Sequence, residues 1–261
     1  DEKEEEKHGK TGMPQGKGVV NFEHVDFSYV PEKQVLYDFN LEVRAGHKVA
    51  LVGATGSGKT TVVNLLMRFY DINAGKISID GVDIRDIEMD ELRKNIAIVL
   101  QDTVLFSDTI RNNIKYADLD ADDERMKQAA ATANCDRMIE RMEQEYDTVL
   151  SEGGQNLSQG QRQLLSIARA MLADPKILIL DEATSSVDTR TEKHIQDAMV
   201  NLMKDRTSLI IAHRLSTIQD ADFIVVLDEG RIVETGNHEE LIEKKGRYYE
   251  LYMTQFAGRE I

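Results

Sequence analysis

Residues 53–60 read Gly-Ala-Thr-Gly-Ser-Gly-Lys-Thr and fit the pattern G-x-x-x-x-G-K-[ST]. No other stretch restricts the fold as tightly. The pattern works only where a buried strand runs into the loop and a helix leaves it, and KVALVG precedes while TTVVNLLMRF follows. Glycines at 56 and 58 let the backbone curl until successive N–H groups converge on an anion. The start of the helix adds partial positive charge. Lys59 is then placed to reach the β- and γ-phosphates of a nucleotide, and Thr60 to offer a hydroxyl to Mg2+. The expected contacts are Gly53, Thr55, Gly56, Ser57, Gly58, Lys59, Thr60 and Thr61.

Hydropathy patterning sorts the rest of the chain into two kinds of strand. VNFEHVDFSYV and QVLYDFNLEV alternate, with Phe39, Leu41 and Val43 on one face, and predict half-buried antiparallel strands. ISIDGVDI (77–84) is a hairpin candidate turning at Asp80-Gly81, and LDEGRIVE (227–234) another at Glu229-Gly230. By contrast, the runs at 48–53, 95–101, 176–182, 207–213 and 222–227 are almost continuously apolar, as in a parallel sheet covered on both sides. Helical periodicity at 59–69, 159–173 and 189–203 falls between several of them, which implies βαβ crossovers. Residues 102–158 are polar, contain Ala and Met, and predict a helical insert between two halves of that sheet.

KILILDE ends a buried strand with Asp181 and Glu182. Ligands of parallel sheets gather at the carboxyl ends of strands, where the glycine-rich loop also begins. Asp181 is therefore a candidate to hold Mg2+ beside Thr60. Adjacent strand residues point to opposite sides, so Glu182 reaches the same site only if the chain bends out of the strand; from there it could orient or deprotonate an attacking water. Taken alone, both acids could simply mark the strand's exit into solvent.

Charge narrows the partners. With 32 Lys and Arg against 47 Asp and Glu, the formal charge of the 261 residues is −15. Such a chain repels phosphate backbones and anionic lipid surfaces, so nucleic acid is not an expected partner. Cys135 is the single cysteine and can form neither an internal disulfide nor a structural zinc site, which favours a reducing compartment. No apolar run approaches the roughly 20 residues of a membrane helix, and DEKEEEKHGK carries no apolar signal segment; the expectation is a chain that neither spans a membrane nor is secreted. Residues 1–18, charged and then Gly-rich, are expected to form an unstructured tail or a linker.

Further motifs fall in a fixed order around the loop. Tyr29 lies upstream of it, Gln101 ends the strand NIAIVLQ, LSQGQ spans 157–161, SSVD spans 185–188, and His213 ends an apolar strand in IAHRLST. Singly, Tyr29 reads as a strand aromatic, Gln101 as a solvated strand end, Asp188 as a helix cap and His213 as a structural histidine. Ser158 with Gln161 forms an S-x-x-Q capping box, and a capped helix start is also an anion site. Together and in this order, over about residues 19–256, they resemble the nucleotide-binding domain of ATP-binding cassette (ABC) transporters.

The resemblance implies an α/β fold of the P-loop NTPase type. It has a RecA-like parallel core and an N-terminal antiparallel β subdomain (about 19–101 and 164–261 together), with a helical subdomain at about 102–163. ATP and Mg2+ are the implied cofactors. Tyr29 would lie under the adenine. Thr60, Gln101 and Asp181 would hold the metal; Glu182, His213, Lys59 and Gln101 would serve catalysis. Ser158, Gly160, Gln161 and Asp188 would contact nucleotide across a head-to-tail pair of cassettes, identical or not. Where the family usually has LSGGQ, this chain has Gln159, a variant compatible with one half of a heterodimeric multidrug exporter. Glu152 shortly before the signature, DTVLFSDTIRNNI and AHRLSTI are exporter-like, which implies transmembrane domains upstream and on the partner, and a place on the cytoplasmic face of the membrane. The alternatives are a soluble ABC-type ATPase acting on nucleic acid or ribosomes, and a catalytically weak, nucleotide-gated binding module.

Overall fold

A computed structural model describes residue 9 and residues 11–100, 102, 104–182 and 187–255. Strands β1 (Val20–Val30) and β2 (Lys33–Val43) pair antiparallel, as their alternation requires. β3 (Lys48–Val52) leads into helix α1 (Lys59–Leu66). β4 (Ala74–Ile79) and β5 (Val82–Asp83) form the hairpin expected at Asp80-Gly81, both residues at positive φ. α2 (Met89–Lys94) and β6 (Ile96–Val99) follow. The insert then folds as α3 (Ile110–Lys115), α4 (Asp123–Thr132), α5 (Asp136–Ile139) and short 3-10 turns. The chain continues as α6 (Gln159–Ala173), β7 (Ile177–Asp181), α7 (Thr189–Met203), β8 (Thr207–Ile211) and α8 (Leu215–Gln219). It closes with β9 (Phe223–Asp228), β10 (Arg231–Gly236), α9 (His238–Lys244) and α10 (Arg247–Gln255).

Two sheets result. The antiparallel one has the order β2-β1-β4-β5, and the other β10-β9-β3-β8-β7-β6. In the second, all neighbours from β9 to β6 are parallel, and β10 returns antiparallel from the Glu229-Gly230 turn.

Side-chain alternation along this sheet sorts the core. Val49, Leu51, Ile177, Ile179, Leu209 and Ile211 pack on α1 and on the antiparallel sheet, where Phe22 and Phe39 meet edge to face at 5.3 Å. Ala50, Val52, Leu178, Leu180 and Ile210 face the other way, onto α6, α7 and the insert helices. Burial of each large side chain contributes about 1.5–3 kcal/mol, so a strand buried on both faces gains from every residue, and this is why these strands read as unbroken apolar runs. α6 runs uninterrupted across residue 163, and the insert shares one core with the sheet.

The N-terminal segment departs from expectation. Residues 11–18 are not an unstructured tail but lie along the body. The Asp80 carboxylate accepts from the backbone N–H of Gly18 at 3.0 Å and of Val19 at 2.9 Å. Lys176 Nζ donates to the Pro14 carbonyl at 2.9 Å, and Thr11 bridges to Ile87. These partners come from distant turns, so local composition carries no trace of them. Among the described residues no helix is long and apolar enough to cross a membrane.

Candidate functional site

The loop between β3 and α1 has the geometry its sequence demands. Gly56 and Gly58 take φ of 82° and 110°. A Cβ on Gly58 would also press on the Leu36 side chain, at 2.9 Å from its Cδ2. No side chain caps α1, so its first N–H groups stay available to an anion. Ser57 Oγ is buried and has no hydrogen-bond partner, an orphan that a phosphate oxygen would satisfy. Lys59 folds back over the loop and donates to the Gly53 carbonyl at 2.6 Å and the Ala54 carbonyl at 3.0 Å. Burial pushes its ammonium pKa down, and the Asp181 carboxylate opposes that shift.

Asp181 ends β7 on the α1 face of the sheet. Burial raises its carboxyl above the usual range, against the pull of His213 and Lys59. His213 Nε2 lies 3.8 Å from Asp181 Oδ1. Lys59, Asp181 and His213 thus converge, with Thr60 exposed at the start of α1. Thr60 and Asp181 supply hard oxygen donors, as Mg2+ prefers. That ion takes one or two protein oxygens and completes its shell with phosphate and water.

Tyr29 leans from β1 over α1. Its hydroxyl lies 3.1 Å from Thr61 Oγ1 and accepts from Asn64 Nδ2 at 3.3 Å. Phe27 and Tyr70 brace the ring edge to face at 4.8 and 4.9 Å, yet 44% of Tyr29 remains exposed, a platform ready for a planar base.

The condition set for Glu182 is not met. Glu182 does not turn toward the loop. Its N–H still bonds to the Ile211 carbonyl, so strand alternation persists and sends its side chain to the α6–α7 face. There the carboxylate is 8% exposed and accepts from the N–H of His213 (3.1 Å), the N–H of Arg214 (3.2 Å) and the Thr217 hydroxyl. Ser158 caps α6 in a full capping box, accepting from Gln161 N at 3.2 Å while Gln161 Oε1 accepts from Ser158 N at 2.9 Å. α6, however, packs on the face opposite α1. Gly160 meets α7 there, and a Cβ on it would overlap the Thr191 methyl. Asp188 caps α7, accepting from Thr191 N at 3.0 Å, and that bond holds its carboxyl below the usual range. Gln101, and Ser185 and Ser186 of SSVD, lie outside the described residues.

Residues 36–185 match the ABC transporter family. The chain belongs to that family. It is 54% identical over 258 residues to the uncharacterized ABC transporter ATP-binding protein YfiC of Bacillus subtilis, covering 98% of this chain and 43% of YfiC. It is 51% identical to an ATP-dependent lipid A-core flippase of Hahella chejuensis, covering 98% of this chain and 44% of the flippase. A solved bacterial Atm1-family ABC exporter with ATP bound superposes with a TM-score of 0.89 at 42% identity, over 96% of this chain and 44% of the exporter. The chain therefore spans less than half the length of the relatives it matches.

Within this ABC domain, two contributions escape motif reading. Thr217 on α8 holds Glu182. Tyr248, Leu251 and Tyr252 of α10 wall a cavity of about 90 Å³ beside Gly53, Thr55, Lys59 and His213. The i, i+3, i+4 spacing of those three residues is a signal for a packed helix face, but not for what it packs on.

Proposed function

We propose that this domain binds ATP with Mg2+ on the 53–61 loop and hydrolyses it, and that it works in a head-to-tail pair of cassettes that powers an exporter on the cytoplasmic face of a membrane. The observation that carries the reading is the division of the site. Lys59, Asp181 and His213 converge beside α1, while the capped start of α6 faces away on the other side of the sheet. A second cassette, docked head to tail, would bring its Ser158 to this loop. ATP bound to a solved exporter of the same fold supports the loop assignment.

In this reading the adenine stacks on Tyr29, and the triphosphate displaces the Gly53 and Ala54 carbonyls from Lys59. His213 contacts the γ-phosphate. Thr60, Asp181 and Gln101 would hold Mg2+, which would supply positive charge to offset that of the triphosphate. The partner's Ser158 hydroxyl, Gly160 N–H and Gln161 close over the nucleotide. Glu182 leaves the far face, orients a water toward the γ-phosphorus and takes its proton as the bond to ADP breaks. Loss of the γ-phosphate removes the charge that joins the pair, and the pair opens. Glu182→Gln should therefore keep ATP binding and lose turnover; near-normal steady-state hydrolysis would remove the base assignment. In Lys59→Ala a calorimetric ATP titration should show weaker binding, and an unchanged Kd would contradict the loop assignment.

A further inference from the structure

Glu182 occupies an arrangement that is incompatible with the role just given to it. We propose that Thr217, together with the backbone N–H groups of His213 and Arg214, forms a latch that parks the Glu182 carboxylate on the α6–α7 face, and that seating a nucleotide must release it. The inference rests on Glu182 being the base and adds how that base is restrained. Thr217 is a positioning residue: it touches the carboxylate, not the nucleotide.

Three donors converge on one nearly buried carboxylate. Bonds to an ionised acceptor are among the stronger ones in proteins. The donors are local to one another, since His213, Arg214 and Thr217 are the approach to α8 and its first turn. The latch also holds the segment that carries the His213 ring, so the same bonds that withdraw the base set the backbone of the γ-phosphate contact. Arg214 is tied in turn to α7 through Glu192, Nη1 to Oε1 at 3.1 Å. While the latch is closed, base and phosphate loop are kept on opposite faces of the sheet, and idle water activation next to the loop is suppressed. A state that is competent only after a bond breaks binds with an affinity reduced by the competent fraction.

Thr217→Val keeps the shape and removes the hydroxyl, Thr217→Ser keeps the hydroxyl, and Thr217→Ala is the fallback if valine does not fold. In the nucleotide-free chain the valine variant should exchange the amide hydrogens of His213 and Arg214 about three- to tenfold faster than the parent, and the serine variant at the parent rate. kcat/KM for ATP with Mg2+ should rise in the valine variant by a similar factor, because the free protein loses a bond that the transition state lacks. Parent-like exchange together with parent-like or lower kcat/KM in the valine variant would overturn the latch. Glu182→Gln separates the two readings: normal turnover there sinks the base, whereas an inactive Glu182→Gln beside a parent-like Thr217→Val sinks the latch alone.

Discussion

Lys59 and Asp181 are held in conditions that favour neither of their charged forms, and this shows how the site is prepared. Burial lowers the lysine pKa and raises that of the aspartate, so both charged forms are under-solvated, and the proposed phosphate and metal would relieve that. The aspartate has a measurable cost. With its folded-state pKa above the unfolded value, its contribution to stability is complete below the unfolded value and is lost as pH rises through the folded one. At neutral pH ionised Asp181 therefore destabilises the domain. Asp181→Asn should melt higher than the parent at pH 7, with the difference closing as the pH falls below the usual carboxylate range; equal melting temperatures at pH 7 would refute the assignment. Tyr29 gives a second test at this scale. Stacking on a base is worth about 1–3 kcal/mol, so Tyr29→Ala should weaken ATP binding by about 5- to 150-fold and leave inorganic triphosphate binding unchanged. Equal losses for both ligands would mean that Tyr29 acts only through its contacts with Thr61 and Asn64.

Among the elements, α6 shows a stabilising role on the residues proposed to bind nucleotide. Its capping box satisfies helix-end donors and leaves the Ser158 hydroxyl at an exposed helix start. Ser158→Ala should cost about 1 kcal/mol of stability, read as a lower urea midpoint at unchanged slope. Such elements were readable in advance because their signals are local. The capping box, the 3.6-residue period over 159–173, the Asp80-Gly81 and Glu229-Gly230 turns and the doubly buried strands are each set by neighbours a few residues away. The docking of residues 11–18 was not readable, since Asp80 and Lys176 reach them across the fold. The direction of Glu182 was half readable. Alternation foretells that it points away from Asp181, but the partners that hold its carboxylate there, Thr217 and two amides, come from a later segment.

At the scale of the whole molecule, the sheet that makes the site also divides it. Alternation assigns α1 and the loop to one face, α6 and its cap to the other, so in the proposed pairing a nucleotide bound here would lack the signature contacts until a partner supplied them. The most direct test mixes two variants that are each inactive for a different reason. Lys59→Ala keeps an intact signature on a disabled loop, and Ser158→Arg keeps an intact loop beside a blocked signature. Mixed in equal amounts, they can form pairs with one complete composite site, and ATP hydrolysis absent from either variant alone should appear in the mixture. Hydrolysis in the mixture no greater than the sum of the two separate variants would contradict the divided site.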